Sequence, residues 1–297
     1  MMKNGKPENT EFAGTSAAFA AYFLWGVLPI YWKLLKGVEP MQVLAHRVIW
    51  AGLFCLALMV LARRLPGVLV LIRNGRKLRL VALASLFACM NWGLYIWAVD
   101  AGRVTEAALG YFITPLLSVA FGVVFFREKA DRWTRVAVAA ACLGIGAAAI
   151  AYGSIPWVSL LLALSFAVYG VIKKRLGLDP LTGLTVETLT AFPFALIFIV
   201  IRQSAGQGAF AAGASVWTLV LLCLSGAVTA FPLLLFAKAA NTISLQKMGF
   251  IQYISPVGQL FMGLVVFGER PSPALLIAFA GVLIAVLIYL LSRKRPS

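Results

Sequence analysis

The chain alternates between long apolar runs and short polar connections. The hydrocarbon core of a bilayer is about 30 Å thick, and an α-helix crosses it with about 20 apolar residues. By that rule the pattern predicts an all-α polytopic membrane protein with ten transmembrane helices. These helices, spans one to ten, are placed at approximately 13–34, 43–62, 80–99, 105–126, 134–152, 157–172, 181–201, 217–237, 243–267 and 273–292.

One stretch of the chain occurs twice. The segment L-G-Y-F-I-T-P-L (109–116) in span four is echoed by G-F-I-Q-Y-I-S-P (249–256) in span nine. Pro115 and Pro256 are 141 residues apart, and so are Glu128 and Glu269. Proline removes a backbone hydrogen bond and disturbs the turn before it, so we predict a helix break at each proline. Paired breaks in corresponding halves of a membrane protein indicate the central site of a transporter.

The repeat extends over the whole chain, because Glu39-Pro40 and Asp179-Pro180 are also equivalent, 140 residues apart. Each half holds five spans, an odd number, so the second half must enter the membrane from the opposite side. We therefore predict two inverted five-helix repeats, 13–152 and 157–292, with cytoplasmic tails at 1–12 and 293–297. Inverted halves of this kind build a site that opens alternately to either face.

The charge distribution fixes the predicted orientation. Lysine and arginine accumulate in cytoplasmic connections, and with both termini inside, the inner segments hold 18 of these residues and the outer segments hold 5. This asymmetry accounts for the net charge of +16 without a nucleic-acid partner, since the charges face the cytosol and anionic lipid headgroups. Several tryptophans near span ends, Trp32 among them, are interpreted as interfacial anchors.

Six motifs resemble the RarD-type permeases, also called chloramphenicol-sensitive proteins, of the EamA group in the drug/metabolite transporter superfamily. They are W-G-V-L-P-I-Y-W-K (25–33), L-A-H-R-V-I-W (44–50), N-W-G-L-Y-I-W-A-V (91–99), L-G-Y-F-I-T-P-L (109–116), A-V-T-A-F-P-L-L-L-F-A (227–237) and G-F-I-Q-Y-I-S-P (249–256). The resemblance implies a ten-helix carrier of the bacterial inner membrane whose physiological substrate is poorly defined. The chain departs from the family pattern at Gln42, Ala108 and Thr114, next to motifs that should line the pathway.

Two charged residues lie at bilayer depth, where a charge costs about 2.5–3.5 kcal/mol on insertion scales and suggests function. Arg47 and Glu187 are equivalent in the repeat, each seven residues past the proline that starts its span. For Arg47 the alternative is a long side chain that reaches the interface. We hypothesise two gating ion pairs, Arg47 with Asp100 on the outer side and Glu187 with Lys238 on the inner side.

Aromatic and neutral polar groups near the middle of the spans are the other candidates for a substrate pathway. Sites for small organic molecules are mostly apolar with a few placed polar groups, although hydrogen bonding between packed helices is the alternative for each of them. His46, the only histidine, could also carry a proton. The predicted pathway residues are His46, Arg47, Trp50, Asn91, Trp92, Tyr95, Tyr111, Thr114, Glu187, Gln252, Tyr253 and Ser255.

The sequence thus favours a secondary carrier that moves a small organic metabolite or drug-like solute by alternating access, with protons as a candidate coupling ion. The rivals are a membrane-embedded lipid-modifying enzyme and a passive channel. No P-loop motif, no metal-binding spacing and no catalytic constellation is found, so neither enzymatic activity nor a cofactor is predicted. The predicted partners are the solute and the lipid bilayer, and the protein is expected to be a monomer or a homodimer.

Overall fold

The computed structural model describes residues 8–210, 215–268 and 270–293, apart from the side chains of residues 8, 100, 292 and 293. Glu269 lies outside the described residues. The helices are Glu8–Val27, Pro29–Leu34, Pro40–Leu61, Leu65–Arg73, Gly75–Asp100, Val104–Phe126, Arg132–Tyr152, Trp157–Leu176, Pro180–Ser204, Val216–Thr242, Leu245–Gln252, Ile254–Phe261 and Pro273–Arg293, with a π-helical turn at Met262–Val266.

Ten helical segments in the described part of the chain are long and apolar enough to cross a membrane, and they confirm the ten predicted spans. The numbering of the spans is therefore kept. Span one is interrupted at Leu28, just before Pro29, and a short helix that the hydropathy pattern does not reveal, Leu65–Arg73, lies between spans two and three. Span six continues to Leu176, four residues beyond its predicted end.

The packing of the spans is consistent with two halves related by a twofold axis. Spans four and six are in contact, and so are their equivalents nine and one; the pairs one–eight and six–three correspond in the same way. Spans five and ten, two and seven, and four and nine pack against their own equivalents. At the first of these contacts Gly144 lies on Gly281, where a Cβ on Gly144 would come within 2.6 Å of the Gly281 Cα. Exchanging the two halves therefore maps the main helix contacts onto one another.

The two repeat-related prolines differ in their effect. Span nine is broken at Tyr253, three residues before Pro256, as predicted. Span four runs unbroken through Pro115, so the predicted break there is wrong. The hydroxyl of Thr114 donates to the Gly110 carbonyl at 2.8 Å, and the Ser118 hydroxyl donates to the Thr114 carbonyl at 3.1 Å. Neither bond replaces the one that Pro115 removes, whose acceptor would be the Tyr111 carbonyl, yet the helix continues through this turn.

Candidate functional site

A cavity of about 810 Å³ lies between spans one, two, three, four, six and nine. Its rim includes Lys36, Gly37 and Val38 from the connection between spans one and two, and Phe267 at the end of span nine. These residues belong to the end of the bundle that the charge distribution assigns to the outside, here called the predicted outer face. The volume falls within the range of sites for small organic molecules, roughly 300–1,000 Å³.

The structure brings most of the predicted pathway residues to this cavity and places the others elsewhere. Seven line it: Arg47, Asn91, Trp92, Tyr95, Tyr111, Gln252 and Ser255. Pro256, at the helix break, lines it as well. Five do not line it: His46, Trp50, Thr114, Glu187 and Tyr253.

Four of the five residues away from the cavity, all but Glu187, have packing roles in this structure. His46 is 2% exposed, and its ring contacts the edge of Phe210 at 4.9 Å between centroids. Trp50 packs against the backbone of span eight at Gly226, where a Cβ would clash with it. Thr114 bonds within its own helix, and Tyr253 is buried at the break in span nine. Equal spacing along a helix therefore did not distinguish the face toward the cavity from the faces toward neighbouring spans.

Arg47 is held between two tryptophans on the cavity wall. Its guanidinium carbon lies 4.3 Å from the Trp32 ring centre and 4.8 Å from that of Trp92, and its Nε donates to the Thr229 hydroxyl at 3.1 Å. These contacts hold the guanidinium at the cavity wall, so in this structure the Arg47 side chain does not extend to the membrane–water interface. The side chain of Asp100, the predicted partner, lies outside the described residues, and no described carboxylate forms an ion pair with Arg47.

Another wall of the cavity is a polar stripe on span nine. Gln252, Ser255 and Gln259 all line the cavity. The Gln259 amide donates to the Ser255 hydroxyl and to the Trp25 carbonyl, both at 3.2 Å, and the Ser118 hydroxyl of span four donates to the Gln252 side chain at 3.2 Å. The stripe therefore connects the broken span nine to spans one and four.

Five aromatic rings close the cavity on the side away from the predicted outer face. This aromatic plug consists of Tyr22, Trp25, Phe166, Tyr169 and Phe236, whose contacting rings have centroids 5.4–6.3 Å apart. Tyr22, Tyr169 and Phe236 are each no more than 1% exposed. The plug joins spans one, six and eight, so these three spans must separate there before a solute can pass.

Glu187 lies beyond the plug in a buried ion pair. The Lys173 ammonium is 2.8 Å from its Oε2, and the Tyr169 hydroxyl of the plug donates to its Oε1 at 2.9 Å. Both charged side chains are only 6–7% exposed. The predicted partner, Lys238, is instead exposed on span eight. The pairing with Lys238 is therefore wrong for this structure, because span six extends past residue 172 and carries Lys173 into the interior.

Trp25, Trp32 and Gln259 are among the residues of the cavity wall that sequence reasoning missed. Trp25 and Trp32 are seven residues apart and therefore lie on one face of span one, although Trp32 alone looks like an interfacial anchor. Gln259 continues the stripe of Gln252 and Ser255 at spacings of seven and four. A search for polar residues at helical spacing around Pro256 would have found it.

Each face of the bundle also carries a repeat-related ion pair between spans two and seven. On the predicted outer face Glu39, just before span two, pairs with Arg202 near the end of span seven through two arginine nitrogens, and accepts a hydrogen bond from Gln42 at 3.0 Å. These hydrogen bonds, that from Arg202 first, hold the pKa of Glu39 below its ordinary value. On the opposite face Asp179, just before span seven, is 3.4 Å from Arg64, just after span two.

The ten apolar helices define a multi-pass membrane protein, and its cavity has a volume in the range that suits a small organic molecule. The sequence profile of the EamA-like transporter family matches residues 12–150 and again 154–291, and the chain belongs to that family. It is 42% identical to Protein RarD of Streptomyces exfoliatus, over 95% of this chain and 90% of that protein. It is also 42% identical to the uncharacterized transporter YojE of Bacillus subtilis strain 168, over 93% and 92% respectively. A solved crystal structure, 19% identical, shares the fold with a TM-score of 0.72 over 96% of this chain and all of the other.

Proposed function

We propose that this protein is a secondary carrier of the bacterial inner membrane that moves a small organic metabolite or drug-like solute by alternating access. The observation that carries this proposal is the cavity itself, which opens at one end of the bundle and is closed at the other by the aromatic plug. A carrier binds its solute between two such closures that open in turn. With both termini cytoplasmic, the structure corresponds to the form that is open to the outside.

Opening toward the inner side requires the plug to come apart. Tyr169 stacks on Phe236 at 5.6 Å and is hydrogen-bonded to Glu187, so the plug is fastened to span seven through one carboxylate. We propose Glu187 as the proton acceptor of the transport cycle. Protonation would remove its charge attraction to Lys173 and weaken its bond to Tyr169, which favours separation of spans six and seven. The carboxylate would thereby couple the plug to the proton gradient.

A channel is the main rival, and counterflow separates the two. The protein is reconstituted in liposomes and screened for uptake of amino acids, purines and amphenicols, with and without a pH gradient. For a transported solute, a carrier takes up labelled solute faster when the liposomes are preloaded with unlabelled solute, because the loaded site returns faster than the empty one. A channel shows no such acceleration, and uptake without it would contradict the proposal.

Tyr111→Ala and Phe194→Ala form a matched pair for the same assay. Both remove an aromatic ring from a span, but Tyr111 lines the cavity whereas Phe194 is 76% exposed on the outside of the bundle. Counterflow should fall at least several-fold in Tyr111→Ala and remain near the wild-type rate in Phe194→Ala. Equal losses in both variants would remove the cavity from the transport path.

A further inference from the structure

We infer that the cavity takes an organic anion and that Arg47 binds its negative group. The inference rests on the proposed function and adds the class of the solute. Three of the described residues that line the cavity are cationic, Lys33, Lys36 and Arg47, and none of them is acidic. A cleft lined by charges of one sign and surrounded by low-dielectric walls concentrates ions of the opposite sign.

The environment of Arg47 leaves its hydrogen-bonding capacity largely unused. A guanidinium has five N–H donors, and only the Nε donor has a protein acceptor among the described residues, the Thr229 hydroxyl. The guanidinium carbon of Arg47 lies 4.3 Å from the centre of the Trp32 ring and 4.8 Å from that of the Trp92 ring, and neither ring accepts a conventional hydrogen bond. The terminal nitrogens therefore remain for a ligand on the cavity wall.

A buried cation without a carboxylate is unfavourable unless something else compensates for its desolvation. Glu187, at the equivalent position in the other half, shows the usual solution, an ion pair at 2.8 Å. Arg47 has no ion-pair partner among the described residues, but it lines an open cavity. A carboxylate matches the fork of guanidinium donors and can accept two parallel hydrogen bonds. The missing counter-charge is thus supplied by the solute.

The other residues that line the cavity indicate the chemistry of the rest of the solute. Eight of the residues that line the cavity are aromatic, with Tyr95 and Tyr111 in contact at 5.7 Å between ring centres and Trp25 and Phe166 at the plug. Flat apolar groups bind well against such rings. The polar stripe of span nine adds neutral hydrogen-bond groups to the wall. The solute is therefore a small organic anion with a planar or apolar body, rather than a sugar or a cation.

Isosteric acid and amide pairs test this directly. Benzoate with benzamide, and phenylacetate with phenylacetamide, differ in charge but hardly in shape. Binding to the purified protein in detergent is measured by calorimetry, independently of transport. Hydrogen bonds to a charged group typically correspond to roughly a 10- to 100-fold change in affinity, so each acid should bind at least about tenfold more tightly than its amide.

Variants then test whether Arg47 causes the preference for the acid over the amide. Arg47→Gln should reduce the ratio of acid to amide affinity to about one, and Arg47→Lys should retain part of it because the charge remains while the fork is lost. Arg64→Gln, which removes an exposed cation at the opposite face, should leave the ratio unchanged. Equal binding of acid and amide to the wild type, an unchanged ratio in Arg47→Gln, or no binding of either acid at millimolar concentration would each overturn the inference.

Transport separates this inference from the proposed function. If the acids bind selectively through Arg47 but no panel solute, acids included, shows uptake with counterflow, the anion site stands and the carrier proposal fails. If a neutral solute shows counterflow while the acids neither bind nor compete with it, the carrier stands and the anion site fails.

Discussion

Arg47 and Glu187 occupy equivalent positions in the two halves of the molecule, yet the protein treats the two charges differently. Glu187 lies on the closed side of the aromatic plug, where Lys173 and Tyr169 bond to it. Arg47 lies on the cavity side, where a hydroxyl and two indole rings are its described partners. The comparison indicates that the charge on the closed side is neutralised within the protein, whereas the charge at the cavity has no counter-charge among the described residues.

The largest predicted difference between the two charged residues is in their contribution to the free energy of unfolding. Removing one member of a buried ion pair leaves the other buried and unpaired, which costs about 3–5 kcal/mol. We therefore expect Glu187→Gln to lower the free energy of unfolding by that amount, because Lys173 loses its counter-charge. Arg47→Gln should cost less than about 2 kcal/mol, because only cation–π contacts and one hydrogen bond are lost. Unfolding by SDS in mixed micelles measures both.

A double variant serves as the control for this difference. Glu187→Gln with Lys173→Met removes both charges, and it should recover much of the stability that Glu187→Gln loses, since a buried pair replaced by uncharged side chains is often nearly neutral. If Glu187→Gln and Arg47→Gln were equally destabilising, the two halves would not differ in the way the contacts indicate.

The second effect concerns the link between Glu187 and the plug. Tyr169→Phe keeps the ring that stacks on Phe236 but removes the hydroxyl that donates to Glu187. A hydrogen bond to a charged group contributes about 1.5–3 kcal/mol, so Tyr169→Phe should lower the free energy of unfolding by less than Glu187→Gln does. The plug should also open more often, which is measured as faster reaction of a cysteine at Ser255 with a thiol reagent applied from the inner side, with the native cysteines replaced.

Tyr152→Phe is the matched control for that experiment. It also removes a tyrosine-to-glutamate hydrogen bond, that of Tyr152 to Glu106 at 3.0 Å, but far from the plug. We expect it to leave the labelling rate of the cysteine at Ser255 unchanged. If both variants accelerated labelling alike, general loosening and not release of the plug would be the cause.

The fold could be predicted because span length and hydropathy are local properties of the sequence. Ten spans and the break before Pro256 follow from apolar runs and one proline. The unbroken helix at Pro115 could not be predicted in the same way, because whether a proline breaks a transmembrane helix depends on its surroundings in the fold. Equivalent prolines of a repeat can therefore have different effects.

The site could be predicted only in part because it depends on which face of each helix meets the cavity. Arg47, Trp92 and Gln252 were found from their chemistry, but His46 is equally polar and faces Phe210. Lys173 was missed because the hydropathy pattern ends span six just before it. Its position in the interior is stable only because Glu187 lies across from it, which is information from another span.

The smallest predicted effect is a difference in stability between the two ion pairs that join spans two and seven on opposite faces. The side chains of Arg202 and Glu39 are 32% and 35% exposed, whereas those of Arg64 and Asp179 are 60% and 44% exposed and farther apart. Arg202→Gln should therefore lower the free energy of unfolding by about 0.2–1 kcal/mol, and Arg64→Gln by an amount near zero.

The contribution of the Glu39–Arg202 pair to stability should also depend on pH. Because Arg202 and Gln42 lower the pKa of Glu39 in the folded protein, the contribution of this carboxylate is complete above its ordinary pKa of about 4.3 and is lost as the pH falls through the lowered value. The wild type should therefore lose more stability on acidification below about pH 4 than Glu39→Gln does. Parallel pH profiles for the two proteins, or equal costs of Arg202→Gln and Arg64→Gln, would show that the two ion pairs stabilise the protein equally. The two faces of the bundle would then differ only around the cavity and the plug.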